Sequence, residues 1–478
     1  MSAERILGAS PAANIVAEVA RDVIERSSDT YALYRLGRRV AAARAAQGPR
    51  ALDGLLQAAA DPRVANGAGA LALGAGVAVE LGERGHAQRM QAAWARVMGG
   101  GDHVRAQLVG AAGEAGDGQL LGALAAAVPA AAVGAVAGEV HALAVAALLQ
   151  CERGHEDAAR ARAVVCAVEA LAQRVFVDDA YVAVADATRW AAWPQCADAL
   201  ACVHWHTLRA GRAGSDAFRR ATTLLVAFAQ RGAAARVDAA VRAACALQPC
   251  LRFVPQGHMR VAPARERAVL FYLDLLEHVA ELLPVNTLQL LVVPLAAHYA
   301  QRAPSEWFES AHALVLALLE QREPLRELAP WYADLLLELY PDRGISADLL
   351  RIAYPAAVRA LAAEPSRVGC ALAADCVQRL FARLDAFAGS GAVRAVRRRE
   401  VLGAVAELLA AVPLELLPRL MRDLELRVVS EREWNTRRVL ADEIQDVVLE
   451  RADLSRKPAL SAWVWQLRAT VNNSISKI

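Results

Sequence analysis

Residues 264–284, ARERAVLFYLDLLEHVAELLP, set the fold class of this chain. Apolar side chains recur three and four positions apart in this stretch, so they would lie along one face of an α-helix. They are Val269, Leu270, Leu273, Leu276, Ala280 and Leu283. Pro284 has no backbone N–H and predicts the end of the helix. The stretch therefore predicts an amphipathic helix that buries one face.

The same period continues outward along the chain. Ser305 and Ser346 each precede an apolar helical run and are predicted N-caps. Pro294 predicts a kink, and Pro341 predicts a helix end. Further helices fit 367–388, 396–411, 413–429, 431–451 and 457–470. Because no stretch alternates as a strand would, we predict an all-α fold, an irregular α-solenoid of antiparallel helix hairpins of the HEAT or armadillo kind, with a single large bundle as the alternative.

The chain is predicted to divide into three regions. Residues 1–150 are rich in Ala and Gly, which predicts short helices and loops because glycine weakens a helix. Residues 151–470 are the predicted α-solenoid, with a softer alternative boundary near Pro255–His258. Residues 471–478 are polar and poor in helix formers, and we expect an extended C-terminal tail.

Composition excludes several classes of protein. The chain has 478 residues, of which 56% are hydrophobic, and a formal net charge of +2. Disorder is therefore not expected, and nothing in the overall charge supports nucleic-acid binding. The 8 cysteines form no CxxC pair, and no signal peptide is apparent, so we expect free thiols and no secretion. Residues 118–138 carry no charge, but their Ala, Gly and Pro content argues against a membrane span; peripheral contact stays open.

No metal, cofactor or catalytic site is predicted. Cys196, Cys202, His204 and His206 lie close in sequence, but residues two apart point to different sides of a helix and cannot share one zinc ion. The glycine runs follow no strand and lack the phosphate-binding motifs. The same spacing argument separates Ser310 from His312 as a nucleophile–base pair. We therefore predict a protein that is not an enzyme.

Two further motifs contain basic residues, one near residue 397 and one at residues 96–104. Arg394, Arg397, Arg398 and Arg399 predict a solvated helix start, with a contact face for an acidic partner as the alternative. Residues 96–104, RVMGGGDHV, share the Arg and His spacing of an N-terminal peroxisomal address, but depart from its pattern elsewhere.

The last three residues, Ser476, Lys477 and Ile478, are one conservative step from Ser-Lys-Leu, the C-terminal peroxisomal address. A receptor that binds a terminal carboxylate needs a small residue, a cation and an aliphatic side chain at these positions. An exchange of Leu for Ile keeps the side-chain volume. We therefore expect these three residues to bind the tetratricopeptide-type import receptor, less tightly than Ser-Lys-Leu does.

A central segment resembles a known family. Residues 307–319 (WFESAHALVLALL), 331–341 (WYADLLLELYP), 345–361 (ISADLLRIAYPAAVRAL) and 408–421 (LLAAVPLELLPRLM) are similar to helical blocks of the fungal peroxin-eight family. That family organises the import of matrix proteins from inside the peroxisome. The resemblance covers about 264–430, and members of the family commonly end in a Ser-Lys-Leu-type tail.

The resemblance implies a scaffold on the lumenal side of the peroxisomal membrane, attached peripherally. Its implied partners are the cargo receptor and the docking and RING subcomplexes of the import machinery. Two alternatives stay open at the level of sequence: a peroxisomal matrix enzyme of unfamiliar type, and a cytosolic helical-repeat adaptor.

Overall fold

The computed structural model describes residues 109–473, except 111, 113–115, 119–120, 123–124, 126–127, 129, 178–185, 208–210, 249, 254–262, 321–327, 364–365, 389–390 and 432. Within these residues every regular element is a helix, and no strand occurs. The chain divides into two compact units between Leu275 and Leu276. The predicted borders at 150 and 471 stay predictions.

The described part of the first unit contains five helices of 14 or more residues before the one that runs past Leu275, together with the short helix Cys250–Phe253. The five longer helices are α1 (Val133–Glu152), α2 (Ala158–Ala172), α3 (Asp186–Thr207), α4 (Gly211–Gln230) and α5 (Ala234–Leu247). A π-helical turn, Gln173–Val177, extends α2. Helix α6 (Pro263–Val279) runs through the division between the units and contains most of the stretch that predicted the fold.

The described part of the second unit continues the series. Its helices are α7 (Val293–Ala300), α8 (Glu306–Leu319), α9 (Leu328–Leu339), α10 (Ala347–Ala362), α11 (Arg367–Ala386), α12 (Ala392–Glu407), α13 (Leu417–Ser430), α14 (Trp434–Glu450) and α15 (Lys457–Asn473). Each predicted helix is present, with its ends shifted by a few residues, since helix ends depend on local capping.

The packing follows the order of the chain within each unit. In the first unit, α1 packs against α2 and α3, and α2 against α3 and α4. In the second, α10 packs against α11 and α12, and α12 against α14. Contacts to the next helix and the one after it are the pattern of a solenoid of helix hairpins. The predicted all-α solenoid class is therefore confirmed.

Two predicted N-caps are confirmed, and one proline acts differently from expectation. The Ser346 hydroxyl accepts the Leu349 backbone N–H at 3.1 Å, and the Ser305 hydroxyl accepts that of Phe308 at 3.4 Å. Pro294 lies in the first turn of α7, directly after a π-helical turn at Leu288–Val292. Its missing N–H is tolerated there, because first-turn N–H groups need no partner within the helix.

Buried tyrosines tie the helices of the second unit together. Tyr332 and Tyr354 are fully buried, so each hydroxyl needs a partner inside the protein. The Tyr354 hydroxyl donates to the Cys376 carbonyl on α11 at 2.7 Å. A hydrogen bond of 2.7 Å joins the Tyr332 hydroxyl on α9 to His312 Nδ1 on α8. Each bond fixes one helix against another.

Candidate functional site

The predicted targeting residues Ser476, Lys477 and Ile478 lie outside the described residues, as does the 96–104 motif. Receptor binding by the tail therefore stays a prediction. The described surface offers a different candidate, a groove in the second unit.

This groove, called the central groove below, has a volume of about 870 Å³. It forms where the chain leaves α6, passes through the short 3-10 helix Ala280–Leu282, and turns at Pro284. The end of α8 closes the other side. The residues that line it are Glu277, His278, Glu281, Leu282, Leu283, Pro284, Val285, Leu288, Ala317 and Glu320.

The central groove combines an acidic rim with an apolar floor. Glu277, Glu281 and Glu320 supply three carboxylates, and no Lys or Arg is among the lining residues. Leu283 and Leu288 are buried and form part of the floor. A segment of a partner that carries basic side chains beside apolar ones fits this arrangement, since complementary charge orients it and the floor buries its apolar side.

A second candidate is a polar cluster inside the first unit. Asp198 on α3 is completely buried and lies within an otherwise apolar run. The Tyr272 hydroxyl donates to Asp198 Oδ1 at 2.7 Å, and Gln248 Nε2 donates to Oδ2 at 3.3 Å. His141 Nε2 lies 2.6 Å from Oδ2, and the Cys202 thiol donates to the same atom at 3.6 Å. We call these five residues the Asp198 cluster.

The electrostatics of the cluster keep the Cys202 thiol and the Tyr272 hydroxyl protonated. Burial, followed by the charge of Asp198, raises the pKa of the Cys202 thiol well above its ordinary value. Burial and Asp198 raise the pKa of Tyr272 in the same way. Both groups therefore act as hydrogen-bond donors to the carboxylate. A protonated, buried thiol is a poor nucleophile, so this geometry does not support covalent catalysis by Cys202.

Among the described residues, His141, Asp198 and Cys202 have ligand atoms within 4.8 Å of one another, close enough to be tested as a metal site. Zinc would need the Cys202 thiolate, whereas this thiol is a donor to Asp198. The 2.6 Å contact between His141 and Asp198 is a hydrogen-bond distance. The donor set therefore fits a hydrogen-bonded network better than an ion, and the absence of a metal stays a prediction.

The sequence grouped Cys202 with residues that lie near it along the chain, but the structure gives Cys202 other hydrogen-bond partners. His204 Nδ1 donates to the Arg267 carbonyl at 2.9 Å, away from Cys202. Burial raises the pKa of Cys196 to about 12. The residues that do meet Cys202 are Asp198, one helical turn away, and groups 46 or more positions away along the chain. The single acid in the apolar run CADALAC is the signal that could have found the cluster.

The other sequence candidates have partners within the second unit. His312 is hydrogen-bonded to Tyr332, not to Ser310. Arg397, Arg398 and Arg399 lie in the first turns of α12 and pair with acids of other segments. Their partners are Asp342 at 2.8 Å, Glu431 at 2.5 Å and Glu443 at 2.9 Å, respectively. The arginine run thus contributes to pairing between helices.

One described helix, α1, is long and apolar enough to cross a membrane by length and composition. It overlaps only the end of the uncharged stretch 118–138. The same helix packs against α2 and α3, and its His141 lies against the buried Asp198. These contacts are typical of the core helix of a helical stack.

Comparison with solved structures returns helical proteins of low similarity. An engineered protein is 13% identical, with coverage of 95% of this chain and 100% of that one and a TM-score of 0.33. Kap121p bound to Ste12p is 9% identical, with coverage of 99% of this chain and 48% of that one and a TM-score of 0.45. Importin beta is 14% identical, with coverage of 95% of this chain and 57% of that one and a TM-score of 0.30. The chain spans about half the length of these karyopherin and importin chains. No curated protein sequence matches it.

A family model does match. Residues 239–320 match the PEX8 central TPR-like domain. This range starts earlier than the resemblance at 264–430 and includes only its first motif, 307–319; it also contains every residue that lines the central groove. Residues 239–320 are therefore similar to the central domain of the peroxin-eight family of peroxisome biogenesis factors, and this match supports that family assignment.

Proposed function

We propose that this protein is a non-enzymatic scaffold for the import of matrix proteins, attached peripherally to the lumenal side of the peroxisomal membrane. The observation that carries the proposal is the PEX8 central domain at residues 239–320. A role in peroxisome biogenesis and a peroxisomal location follow from the family. In the proposal, the scaffold binds the tetratricopeptide-type cargo receptor and links the docking and RING subcomplexes.

The helical fold supports a scaffold because the stacked hairpins within each unit present surface on which partners can bind. Within that surface the central groove is the proposed contact for one partner segment, basic and apolar in character. Its acidic rim lies on the domain that the family shares. Ser476, Lys477 and Ile478 are proposed as a separate contact, which the receptor reads as a free C-terminal tripeptide.

An import assay tests the groove. Cells that lack their own family member are complemented with the wild-type chain, with Glu281→Lys/Glu320→Lys, or with the control Glu415→Lys/Glu450→Lys. Glu415 and Glu450 are exposed acids of the same unit outside the groove, so both variants change the charge equally. The readout is the fraction of a fluorescent matrix protein inside peroxisomes, at matched levels of the complementing chain.

We expect the wild type and the control to restore import and the groove variant to fail, since two lysines would repel a basic partner. Full import with the groove variant would remove the groove from the proposal. A wild-type chain that gives diffuse cytosolic fluorescence and no import would overturn the scaffold itself and favour the cytosolic adaptor.

A further inference from the structure

A small pocket in the first unit is lined by three arginines and three aromatic side chains. Its volume is about 390 Å³, within the range of pockets that hold small ligands. It lies between the π-helical turn after α2, the start of α3 and the connection from α4 to α5. The residues that line it are Phe176, Val177, Asp186, Arg189, Trp190, Phe228, Arg231, Gly232, Ala233 and Arg236. We call it the Arg189 pocket.

Two of the three arginines are satisfied by the protein. Arg231 donates to the carbonyls of Ala227 and Phe176, at 3.1 Å in both cases. Arg236 forms an ion pair with Asp186. Among the described residues that line the pocket there are one carboxylate and three guanidinium groups, and that carboxylate is already engaged.

Arg189 is different. Its Nε and Nη2 atoms are buried, and neither has a hydrogen-bond partner among the described residues. A guanidinium donates through a planar fork that matches a carboxylate or a phosphate. A buried N–H group without an acceptor is costly, and most such groups in proteins are hydrogen-bonded. Two N–H donors of Arg189 thus lack an acceptor among the described residues, in a pocket that has room for one.

The walls of the pocket add an apolar, aromatic surface. The Phe228 ring lies 4.6 Å from both the Phe176 and the Trp190 ring centroids. A Cβ atom at Gly232 would overlap the Trp190 ring, so the absence of a side chain there allows the indole to lie close to the backbone. An anion that carries an aromatic or apolar group would contact this wall while its oxygens meet Arg189.

We propose that the Arg189 pocket binds an oxyanion, a carboxylate or a phosphate, attached to an aromatic body. Arg189 pairs with the anion, while Arg231 and Arg236 keep the local potential positive. The proposal concerns the first unit and is independent of the scaffold function.

Isothermal titration of the full chain tests the proposal with three probes. Phenyl phosphate and phenylacetate carry the two oxyanions, and 2-phenylethanol carries the same ring without charge. We expect at least one anion to bind and the neutral probe not to bind. The anion that binds more tightly identifies the class of ligand. Binding should weaken at least tenfold in Arg189→Met, whereas Arg219→Met, an exposed arginine on α4 outside the pocket, should bind like the wild type.

The melting temperature of the variants distinguishes loss of the anion contact from misfolding. Without ligand, Arg189→Met should raise the melting temperature by about 2 °C or more, because it removes two buried nitrogens that lack an acceptor, and Arg219→Met should not. Loss of binding through misfolding would instead lower it. Equal binding by Arg189→Met, equal binding of 2-phenylethanol, or no binding of either anion would overturn the proposal.

Discussion

Asp198 shows how one residue can organise a helical core. It is completely buried, and four side chains from other positions surround its carboxylate. Three of them, His141, Gln248 and Tyr272, come from α1, the end of α5 and α6. The carboxylate therefore fixes the relative positions of helices that are distant in sequence.

Replacement of Asp198 should be strongly destabilising. Asp198→Ala removes the carboxylate that accepts from Tyr272 and Gln248, which keep only the Ala244 carbonyl and the Cys202 sulfur, and we expect a loss of about 2–3 kcal/mol in the free energy of unfolding. Asp216→Ala, at an exposed acid of the same unit, should have little effect. Chemical denaturation of both variants measures the difference. Equal midpoints would mean that the cluster does not hold the core.

His312 predicts a dependence of stability on pH. Burial lowers its pKa from 6.5 to about 4. In the unfolded chain it binds a proton below pH 6.5, whereas in the folded protein it binds one only near pH 4, so stability is lost as the pH falls through this window. Between pH 7 and pH 5 the loss is about 2 kcal/mol.

The measurement is the denaturation midpoint at pH 7 and pH 5 in the wild type and in His312→Gln. The variant should show a smaller loss on acidification, because glutamine does not titrate. His155→Gln, at an exposed histidine, is the control and should keep the wild-type slope. An unchanged slope in His312→Gln would assign the pH dependence to other groups.

At the scale of the element, helix starts follow from local chemistry, while turns also depend on what packs against them. Ser305 and Ser346 cap their helices as their sequence context predicts, because the acceptor and the N–H it serves are three residues apart. The turn before α10 contains Gly344, with a φ of +104°. A Cβ atom there would also overlap the Pro304 ring, which belongs to a different connection.

Alanine substitutions at two glycines with positive φ distinguish the cost of backbone strain from the cost of steric overlap. At Gly154, with a φ of +82°, an added Cβ would have no atom within 4 Å, whereas at Gly344 it would meet Pro304. Gly154→Ala should cost about 1–2 kcal/mol through the backbone alone. Gly344→Ala should cost clearly more, because the proline ring must also move. Thermal unfolding of the two variants gives the comparison; equal costs would show that the Pro304 contact yields easily.

At the scale of the whole molecule, the tail is tested apart from the rest of the chain. A peptide VNNSISKI with a free carboxylate should bind the tetratricopeptide domain of the import receptor, measured by fluorescence polarisation. Exchange of Ile478 for Leu should tighten binding by up to about tenfold, because the two side chains differ in shape and not in volume. The same peptide with an amidated C-terminus is the control and should not bind. Equal binding of the amide would refute recognition of the carboxylate.

The sequence by itself determined the all-α class, the order of the helices and their capping serines. Helical period, proline positions and cap residues act over three or four positions, so a single sequence contains the information. It also showed the resemblance of the central segment to the peroxin-eight family, which the match at 239–320 confirms.

Only the tertiary structure decided which polar groups meet. Asp198 contacts Tyr272, 74 positions away, and Arg189 lies in a pocket with residues of α4 and α5. Such contacts between helices depend on how the hairpins stack. The helical period of the sequence does not predict them, because it shows only which face of a helix is buried. The Asp198 cluster, the central groove and the Arg189 pocket therefore emerge only when the helices are packed together.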